Sequence, residues 1–442
     1  MRLIGVGLAA GSGERARPLT LKTATYLRSK AAVRFMGRPV IELQLEALKA
    51  GGLRDFVIVA KGRENRFQIK TLVGYGESLG VDIRYSPPMH DHLDRGSADA
   101  TIRTAEHFNL TDDLLIFPVD SLFDLDVEAL WHAHRSRQAA LTLVTVPMAG
   151  VHTADTYGVV WTAEDGRVVE FLEKPSATVL EARWGPSWPA ESVPTNAGFY
   201  LVGATLLRHL GHVPGIAHRR LSGLDFGKDL LPWLVREGYP VYTFPARWVG
   251  DLGNLAQYLR TMREVLAGHV NLPGLALGPD ESPPRRVFTA SPVRVGDDWR
   301  NVRIGRYCVV GRDCRLENVS VGDECVIGEG VTLVDVHLDD GVMIGDGATV
   351  NASVVGLMAD IRSEENHRTV VEDLSGIGDE AVVQAGAHLA RALVFPRVKV
   401  PAGALVTGGT LTAETVRQLV AGEQEVASRA TARSRQVSAP GL

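Results

Sequence analysis

The stretch RLIGVGLAAGSGERARPLT, residues 2–20, joins an apolar run to a loop that contains Gly11 and Gly13. The run predicts a buried β-strand, because it is short, aliphatic and followed directly by glycine. The glycines would let backbone N–H groups approach phosphate oxygens, and Arg15 would add a positive charge beside them. The loop lacks the GxGxxG and GxxxxGKS/T spacings, so it predicts neither a dinucleotide site nor a P-loop, and a plain strand-to-helix turn remains the alternative.

Outward from this stretch, strand-like and helix-like segments alternate as far as residue 268. RPVIELQLEALKAGG (38–52) predicts a helix that ends at its two glycines, and DFVIVAK (55–61) predicts a second buried strand. LLIFPVD (114–120) continues the alternation. Residues 1–268 are therefore predicted to form an α/β domain with a mostly parallel sheet that is covered by helices.

A different pattern follows residues 269–300, which are rich in Pro, Gly and charge and are interpreted as a linker. Apolar residues then recur in steps of six, six and five, so that Ile304, Val321, Leu338 and Val355 are each 17 residues apart. The pattern resembles the hexapeptide-repeat proteins, which implies a left-handed parallel β-helix over residues 301–410. Residues 411–442 are predicted to form a C-terminal helix and a flexible tail.

Composition sets the wider limits on structure and partners. The 442 residues exceed what one hydrophobic core usually serves, and 45% hydrophobic with 22% charged residues is an ordinary globular mix. A net charge of -5 without a long basic run predicts no nucleic-acid partner. The N-terminal apolar run is too short for a membrane span and does not resemble a signal peptide, so we expect no membrane association and a cytoplasmic location.

The three cysteines, Cys308, Cys314 and Cys325, each lie four residues after an apolar position of the repeat. An odd number in one segment argues against a disulfide framework. A zinc site is the alternative, but the CxxC spacing is absent, so these residues are predicted to be small corner residues of the β-helix.

Several short phrases occur in an order that resembles one enzyme family. LAAGSGERARPLT (8–20) resembles the LAAGxGTRLxPLT signature of sugar-1-phosphate nucleotidylyltransferases, and similar phrases follow in RSKAAV (28–33), GSADA (96–100), EKP (173–175), NAG (196–198), DFGKD (225–229) and WVGDLG (248–253). The resemblance covers residues 1 to about 265, and the repeats extend it to about residue 408. The wording is most similar to ADP-glucose pyrophosphorylases, with mannose-1-phosphate guanylyltransferases as an alternative.

The resemblance implies an enzyme that joins a nucleoside triphosphate and a sugar 1-phosphate to give an NDP-sugar and pyrophosphate. The residues that it implies have three roles. Implied catalytic residues are Arg15, Lys30 and Asp120, with Asp120 and Asp251 as ligands of Mg²⁺. Implied nucleotide-binding residues are Leu8, Ala9, Ala10, Gly11, Ser12, Gly13, Arg15, Gly96 and Ser97. Implied sugar-phosphate-binding residues are Tyr157, Gly158, Glu173, Lys174, Asn196 and Gly198.

Departures from the family phrases keep other functions open. Glu14 stands in place of Thr, Ala31 in place of Pro and Val119 in place of Gly. Relative to the family phrases, about five additional residues lie between Thr20 and Lys30. These changes favour, as one alternative, a non-catalytic regulatory or binding paralogue.

Two further questions concern the repeats and the substrates. The β-helix could itself transfer acyl groups, with His337, His367 and His388 as candidate bases. Its coil ends would be unpaired strand edges, so a homo-oligomer formed through the β-helix is expected. Hydrogen-bonding loop residues decide the base and the sugar, and the phrases favour ATP with glucose 1-phosphate as the first pair to test.

Overall fold

The computed structural model describes residues 2–9, 13–22, 26–91, 93, 95–210, 212–270, 272–275, 286–419 and 421. The strands before residue 268 are β1 (Leu3–Ala9), β2 (Leu21–Lys22), β3 (Leu27–Arg28), β4 (Arg34–Phe35), β5 (Arg38–Pro39), β6 (Asp55–Ala60), β7 (Asp82–Tyr85), β8 (Asp113–Pro118), β9 (Ser121–Asp124), β10 (Leu141–Ala149), β11 (Val159–Thr162), β12 (Val168–Leu172), β13 (Ser192–Val202), β14 (Val241–Pro245) and β15 (Trp248–Asp251).

Helices lie between these strands. They are α1 (Val40–Ala50), α2 (Arg63–Val73), α3 (Ser97–His107), α4 (Val127–Ser136), α5 (Ala177–Trp184), α6 (Ala204–Leu210), α7 (Pro214–Ser222), α8 (Leu231–Arg236) and α9 (Leu255–Leu266). Short 3-10 turns include Glu14–Ala16 and Lys30–Ala32, and a π-helical turn covers Phe226–Leu230.

The main sheet has the strand order β12-β11-β13-β8-β1-β6-β7, with β10 paired to β13 and β14. Strands β7, β6, β1 and β8 run parallel to one another. Alternate residues of one strand enter different cores: Leu114 and Ile116 of β8 pack in one cluster, and Leu115 and Phe117 pack in another. A parallel sheet that is covered on both faces explains why these runs are continuously apolar. The predicted α/β fold is confirmed.

The second part of the chain forms two parallel ladders of short strands. One ladder contains β16 (Val287–Thr289), β17 (Trp299–Ile304), β19 (Arg315–Val321), β21 (Thr332–Leu338), β23 (Thr349–Val355), β25 (Val370–Glu372), β26 (Gly376–Ile377), β28 (His388–Ala390), β29 (Leu393–Val394), β31 (Leu405–Thr407) and β32 (Thr410–Leu411). The other contains β18 (Val309–Val310), β20 (Val326–Ile327), β22 (Met343–Ile344), β24 (Asp360–Ile361), β27 (Val382–Val383) and β30 (Lys399–Val400).

Residues 17 positions apart face each other in these ladders, as the sequence period predicts. Ile304, Val321, Leu338 and Val355 stack in register and are buried in one core cluster. The parallel ladders confirm the β-helix architecture. Neighbouring rungs bury an inner column that no single rung could bury alone.

The β-helix begins inside the segment that was interpreted as a linker. Strand β16 pairs in parallel with β17, and Trp299 at the start of β17 is 1% exposed. The linker interpretation of 269–300 is therefore wrong for these two strands. The sequence missed them because the regular hexad rhythm starts only at Ile304.

Cys314 and Cys325 are buried in the β-helix core, and Cys308 packs against it. The sulfur of Cys325 lies 3.1 Å from the carbonyl oxygen of Asp339, one rung further along, and all three cysteines are free thiols. Their packing agrees with a corner position.

After β32, residues 413–419 are helical, and Val416 packs against the β-helix core. The predicted flexible tail falls on residues 422–442, outside the described residues. Among the residues that the structure describes, no helix is long and apolar enough to cross a membrane.

Candidate active site

The loop after β1 is closed by a contact between its two ends. Gly13 has a left-handed φ of 71°, and its carbonyl oxygen accepts a hydrogen bond from the hydroxyl of Thr20. A Cβ at Gly13 would lie 2.8 Å from the Thr20 hydroxyl oxygen, so only glycine fits without rearrangement. Three of the predicted nucleotide-binding residues, Ala10, Gly11 and Ser12, lie outside the described residues.

Arg15 and Glu14 lie in the 3-10 turn of this loop, and both are exposed. The Glu14 carboxylate is 3.4 Å from the Arg17 guanidinium. The carboxylate of Glu14, which stands where the family phrase has Thr, is therefore paired with a cation of the same loop. The other two departures, Ala31 and Val119, are 1% and 2% exposed and belong to the core.

The Lys30–Asp120 pair lies at the end of two short paired strands, one of which ends at Asp251. Strand β9 starts directly after Asp120 and pairs antiparallel with β15, which ends at Asp251. The backbone N–H of Leu252 donates to the Asp120 carbonyl oxygen at 3.3 Å. The Lys30 ammonium contacts the Asp120 carboxylate. The structure thus brings together three residues that are far apart in the sequence.

The Asp251 carboxylate is held by two donors. The Tyr157 hydroxyl donates to one oxygen at 3.0 Å, and the Gly253 N–H donates to the other at 2.7 Å. Burial, with Asp251 nearby, raises the pKa of Tyr157 to about 12, so its hydroxyl stays protonated. That hydroxyl also accepts a hydrogen bond from Gln257 at 2.7 Å, and therefore it orients Asp251 rather than standing free for a sugar.

The backbones of Asp120 and Asp251 are neighbours where β9 pairs with β15, and each residue carries a carboxylate. Asp120 is partly exposed, and both side chains offer the hard oxygen ligands that such cations take. No group of three or more His, Cys, Asp or Glu within the described part of the chain could hold a metal. Two carboxylates suit an ion such as Mg²⁺, which keeps several waters and completes its shell with substrate phosphates.

A cleft of about 740 Å³ opens at the carboxyl ends of β1 and β6. Leu8, Gly96 and Ser97, three of the predicted nucleotide-binding residues, line it. Ligands commonly bind at this edge of a parallel sheet. Four basic residues that the sequence analysis did not assign also line the cleft, namely Arg28, Lys61, Arg95 and Arg103. Lys61 could have been found, because it is the last residue of the second predicted strand.

Two of the family phrases form one side of the cleft together. The Ser97 hydroxyl donates to the Asp225 carboxylate at 2.8 Å, and the backbone N–H groups of Ala98 and Asp99 donate to the Leu224 carbonyl oxygen at 3.1 Å. A Cβ at Gly96 would lie 2.5 Å from the same oxygen. GSADA and DFGKD are therefore docked against each other, and Asp225, also missed by the sequence analysis, fixes Ser97.

The predicted sugar-phosphate residues lie on the neighbouring strands. The Glu173 carboxylate lies over Gly158 and Gly227, so that a Cβ at Gly158 would be 2.9 Å from its oxygen. Burial raises the pKa of Glu173, although Lys174 opposes the shift. Lys174 is exposed, with a left-handed φ of 48°. The absence of a side chain at Gly158 and Gly227 leaves room for the Glu173 carboxylate.

Asn196 and Gly198 form a tight turn within β13. The Asn196 side-chain oxygen accepts from the Gly198 N–H at 2.8 Å, and its amide donates to the Tyr200 hydroxyl at 2.8 Å. The Asn196 N–H donates to the Gly158 carbonyl oxygen at 2.8 Å. Asn196 therefore joins Gly198 to Gly158, which brings this part of the predicted sugar site together.

The histidines of the β-helix differ in exposure. His337 is 2% exposed, and burial, with nearby arginines, lowers its pKa to about 3. Its ring packs against Tyr258, with 5.4 Å between centroids. His367 and His388 are exposed, and His388 contacts Glu372 at 2.7 Å. The buried His337 is unsuited to serve as the base of an acyl transfer.

A family model described as nucleotidyl transferase matches residues 4–268, which include the cleft and the residues around Asp120. This chain belongs to the nucleotidyl transferase family. A second model, described as GMPPB C-terminal domain, matches residues 299–401 in the β-helix. The resemblance inferred from the sequence phrases is confirmed, and with it the class of enzyme.

Relatives in this family carry different substrate names. A UTP–glucose-1-phosphate uridylyltransferase of Synechocystis is 28% identical over 70% of this chain and 74% of its own length. A glucose-1-phosphate adenylyltransferase of Koribacter versatilis is 28% identical over 58% of this chain and 62% of its own length. A glucose-1-phosphate adenylyltransferase of Aliivibrio fischeri is 26% identical over 60% of this chain and 66% of its own. The chain therefore spans about two thirds of the length of these two adenylyltransferases.

Proposed function

We propose that this nucleotidyl transferase joins a nucleoside triphosphate and a sugar 1-phosphate to give a nucleotide-sugar and pyrophosphate. The observation that carries the proposal is the contact between Lys30 and Asp120, whose backbone lies beside that of Asp251. Lys30 follows Ser29, which lines the cleft. The ammonium group of Lys30 and the two carboxylates, beside a cleft with basic residues, suit a reaction between two phosphate compounds.

The chemistry requires positioning and charge stabilisation. An oxygen of the sugar phosphate attacks the α-phosphorus of the nucleotide, and pyrophosphate leaves in line, so no covalent enzyme intermediate is needed. Lys30 and Arg15 neutralise the triphosphate, and Lys174 holds the sugar phosphate. Glu173, when ionised, accepts hydrogen bonds from sugar hydroxyls.

Backbone groups and small residues complete the two binding sites. We assign the nucleotide to the loop and the cleft wall, that is, to Leu8, Ala9, Ala10, Gly11, Ser12, Gly13, Gly96 and Ser97. We assign the sugar to the strands around Gly158, Asn196 and Gly198, with the ring of Tyr157 beside Asp251.

Asp120 and Asp251 would hold Mg²⁺ in this proposal. When bound, Mg²⁺ neutralises charge on the substrate phosphates. Tyr157 and Gly253 fix the orientation of the Asp251 carboxylate, and Lys30 restrains that of Asp120. The protein therefore holds both ligands in place before a substrate arrives.

ATP with glucose 1-phosphate is the substrate pair that we propose first. The GSADA and DFGKD phrases and the two adenylyltransferase relatives support it. The uridylyltransferase relative supports UTP, and the GMPPB match in the β-helix supports GTP with mannose 1-phosphate as the second pair.

A non-catalytic regulatory or binding paralogue is the alternative of another class. Glu14 is paired with Arg17, and Ala31 and Val119 are accommodated in the core. None of the three departures displaces the contact between Lys30 and Asp120. These contacts favour catalysis.

Pyrophosphate release across a grid of nucleoside triphosphates and sugar 1-phosphates, with and without MgCl₂, tests the proposal. We expect release that needs both substrates, with ATP and glucose 1-phosphate as the fastest pair. Faster release with GTP and mannose 1-phosphate would change the substrate assignment alone. Tight binding of a nucleotide-sugar without release from any pair would favour the paralogue.

We also propose that the chain forms a homo-oligomer through the β-helix. Three exposed apolar residues stand in register on the ladder that starts with β18. They are Val309, Val326 and Met343, which are 60%, 44% and 47% exposed. Apolar side chains in a row on a sheet surface are suited to contact a second copy. Sedimentation of a folded monomer at micromolar concentration would contradict this.

A further inference from the structure

The β-helix contacts the chain on the N-terminal side of Lys30. Arg28 lies 2.7 Å from the Asp379 carboxylate and 3.5 Å from that of Asp339. The Tyr26 hydroxyl also donates to Asp379. Asp339 follows strand β21, and Asp379 lies two residues after β26, so both carboxylates come from the β-helix. Their side chains are 3% and 9% exposed.

The β-helix also contacts the chain on the C-terminal side of Lys30. The Arg34 guanidinium is 3.0 Å from the second carboxylate oxygen of Asp339 and contacts Asp340 as well. The Tyr258 hydroxyl of α9 donates to the Arg34 carbonyl oxygen at 2.8 Å. Asp339 therefore joins Arg28 and Arg34, the two arginines that flank Lys30.

Helix α2 holds the same segment from another direction. The side-chain oxygen of Gln68 accepts from the Ser29 N–H at 2.8 Å, and its amide donates to the Leu27 carbonyl oxygen at 2.8 Å. Leu27, Arg28 and Ser29 all line the cleft. The cleft wall is thus fixed between α2 and the β-helix carboxylates.

Burying these ion pairs costs desolvation free energy, so a gain in stability does not by itself explain why they are present. Burial raises the pKa of the Asp379 carboxyl, although Arg28 favours its charged form. A buried ion pair often stabilises a protein no better than well-packed apolar residues would. The arginines and carboxylates do, however, fix the geometry of a segment that contains one of the proposed catalytic residues.

We propose that Asp339 and Asp379 of the β-helix are positioning residues that hold Lys30 against Asp120 through Arg28 and Arg34. The inference rests on the proposed function for the role of Lys30. Arg28 and Arg34 are tied to the β-helix on both sides of Lys30, so the anchors restrict where the short segment between them can place Lys30. A shift of about 1 Å in a catalytic group can lower turnover on the order of a hundredfold.

Asp379→Asn is the first test, because asparagine keeps the size and can still accept the 3.0 Å hydrogen bond from the Leu357 N–H. Asp335→Asn is a matched control: Asp335 is another β-helix carboxylate, and it pairs at 3.0 Å with Arg263 of α9, away from Lys30. We expect kcat to fall by roughly tenfold or more in Asp379→Asn and by less than about twofold in Asp335→Asn. KM for the sugar phosphate should stay close to that of the wild type, and Asp379→Glu should recover part of the loss.

Hydrogen–deuterium exchange of the peptide that covers residues 26–36 gives a readout that does not depend on activity. Exchange should accelerate in Asp379→Asn and remain unchanged in Asp335→Asn. If the wild type releases no pyrophosphate from any pair, the proposed function fails, while faster exchange still supports the anchoring of this segment. Equal exchange and equal kcat in the two asparagine variants of an active enzyme would overturn the inference.

Discussion

The ammonium group of Lys30 contacts a carboxylate oxygen of Asp120, across 90 positions of the chain. Both side chains are 22% exposed, so the pair lies at the surface of the site rather than in the core. In the proposed function, Asp120 would hold Mg²⁺ and Lys30, beside it, would neutralise substrate phosphate. The ion pair therefore places a positive charge beside the carboxylate that is proposed to bind the metal.

Replacing Lys30 with Gln should lower pyrophosphate release by on the order of a hundredfold or more, because one cation that faces the phosphates is lost. Lys399→Gln is a suitable control, since Lys399 is exposed on strand β30 of the β-helix. Steady-state kinetics with both variants separate the effect on turnover from any general effect of a lost charge. Turnover of Lys30→Gln close to that of the wild type would show that Lys30 has no catalytic role.

Much of the fold follows from local pattern. The apolar run of β1 and the 17-residue period of the β-helix each identify residues whose burial the structure bears out. The start of the β-helix does not follow in this way. Val287 and Trp299 precede the regular period, and only their pairing with later rungs makes them part of the helix.

Gly96→Ala should destabilise the protein more than Gly62→Ala. Both glycines precede a helix and have similar φ angles, 84° and 87°, so each substitution carries a backbone strain of about 1–3 kcal/mol. At Gly96 the new Cβ would also lie 2.5 Å from the Leu224 carbonyl oxygen, whereas at Gly62 it would meet no atom within 4 Å among the described residues other than its chain neighbours. Chemical denaturation of the two variants measures the difference. Equal free energies of unfolding would mean that GSADA and DFGKD are not docked as described.

The raised pKa of Glu173 predicts that replacing this residue with Gln raises stability but lowers activity. Because burial raises this pKa, the folded state favours the protonated form, and ionisation above that pKa weakens folding. Glu173→Gln should therefore raise Tm at pH 8 relative to the wild type, and this gain should shrink as the pH falls through the raised pKa toward about 4, the ordinary value for glutamate.

The same substitution should weaken the sugar site, since the neutral amide is a poorer acceptor for sugar hydroxyls. KM for the sugar phosphate should rise in Glu173→Gln. In the wild type it should also rise on acidification, at a higher pH than an ordinary glutamate would require. Glu170→Gln is the control, because Glu170 lies on β12, three residues before Glu173, and pairs with Arg183 at the surface. A Tm gain equally large in both variants would contradict the role of burial.

Sequence phrases could indicate which residues form the site but not how they are held. The EKP phrase points to Glu173, yet the glycines over which it lies come from two other segments. The link between Arg28 and Asp379 spans the two parts of the chain, and no local pattern predicts such a contact. Long-range ion pairs depend on how domains pack, which periodicity and motifs do not encode.

Asp120 and Asp251 provide the most direct test of the proposed mechanism, because the pairing of β9 with β15 makes their backbones neighbours although they are far apart in the chain. Asp120→Asn and Asp251→Asn each keep the size of the side chain and remove a charge. If both bind one Mg²⁺, each variant should lose turnover by on the order of a hundredfold or more, while binding of the sugar phosphate is affected less.

The double variant should be scarcely slower than the slower single one, because the effects of residues that act as one unit are not additive. Multiplied losses in the double variant would mean two independent roles, and near-wild-type release from a folded Asp120→Asn would refute the shared metal site. Titration with Mg²⁺ gives the remaining check. Asp120→Asn and Asp251→Asn should each need a higher Mg²⁺ concentration for half-maximal rate. Lys30→Gln should remain slower than the wild type even at saturating Mg²⁺.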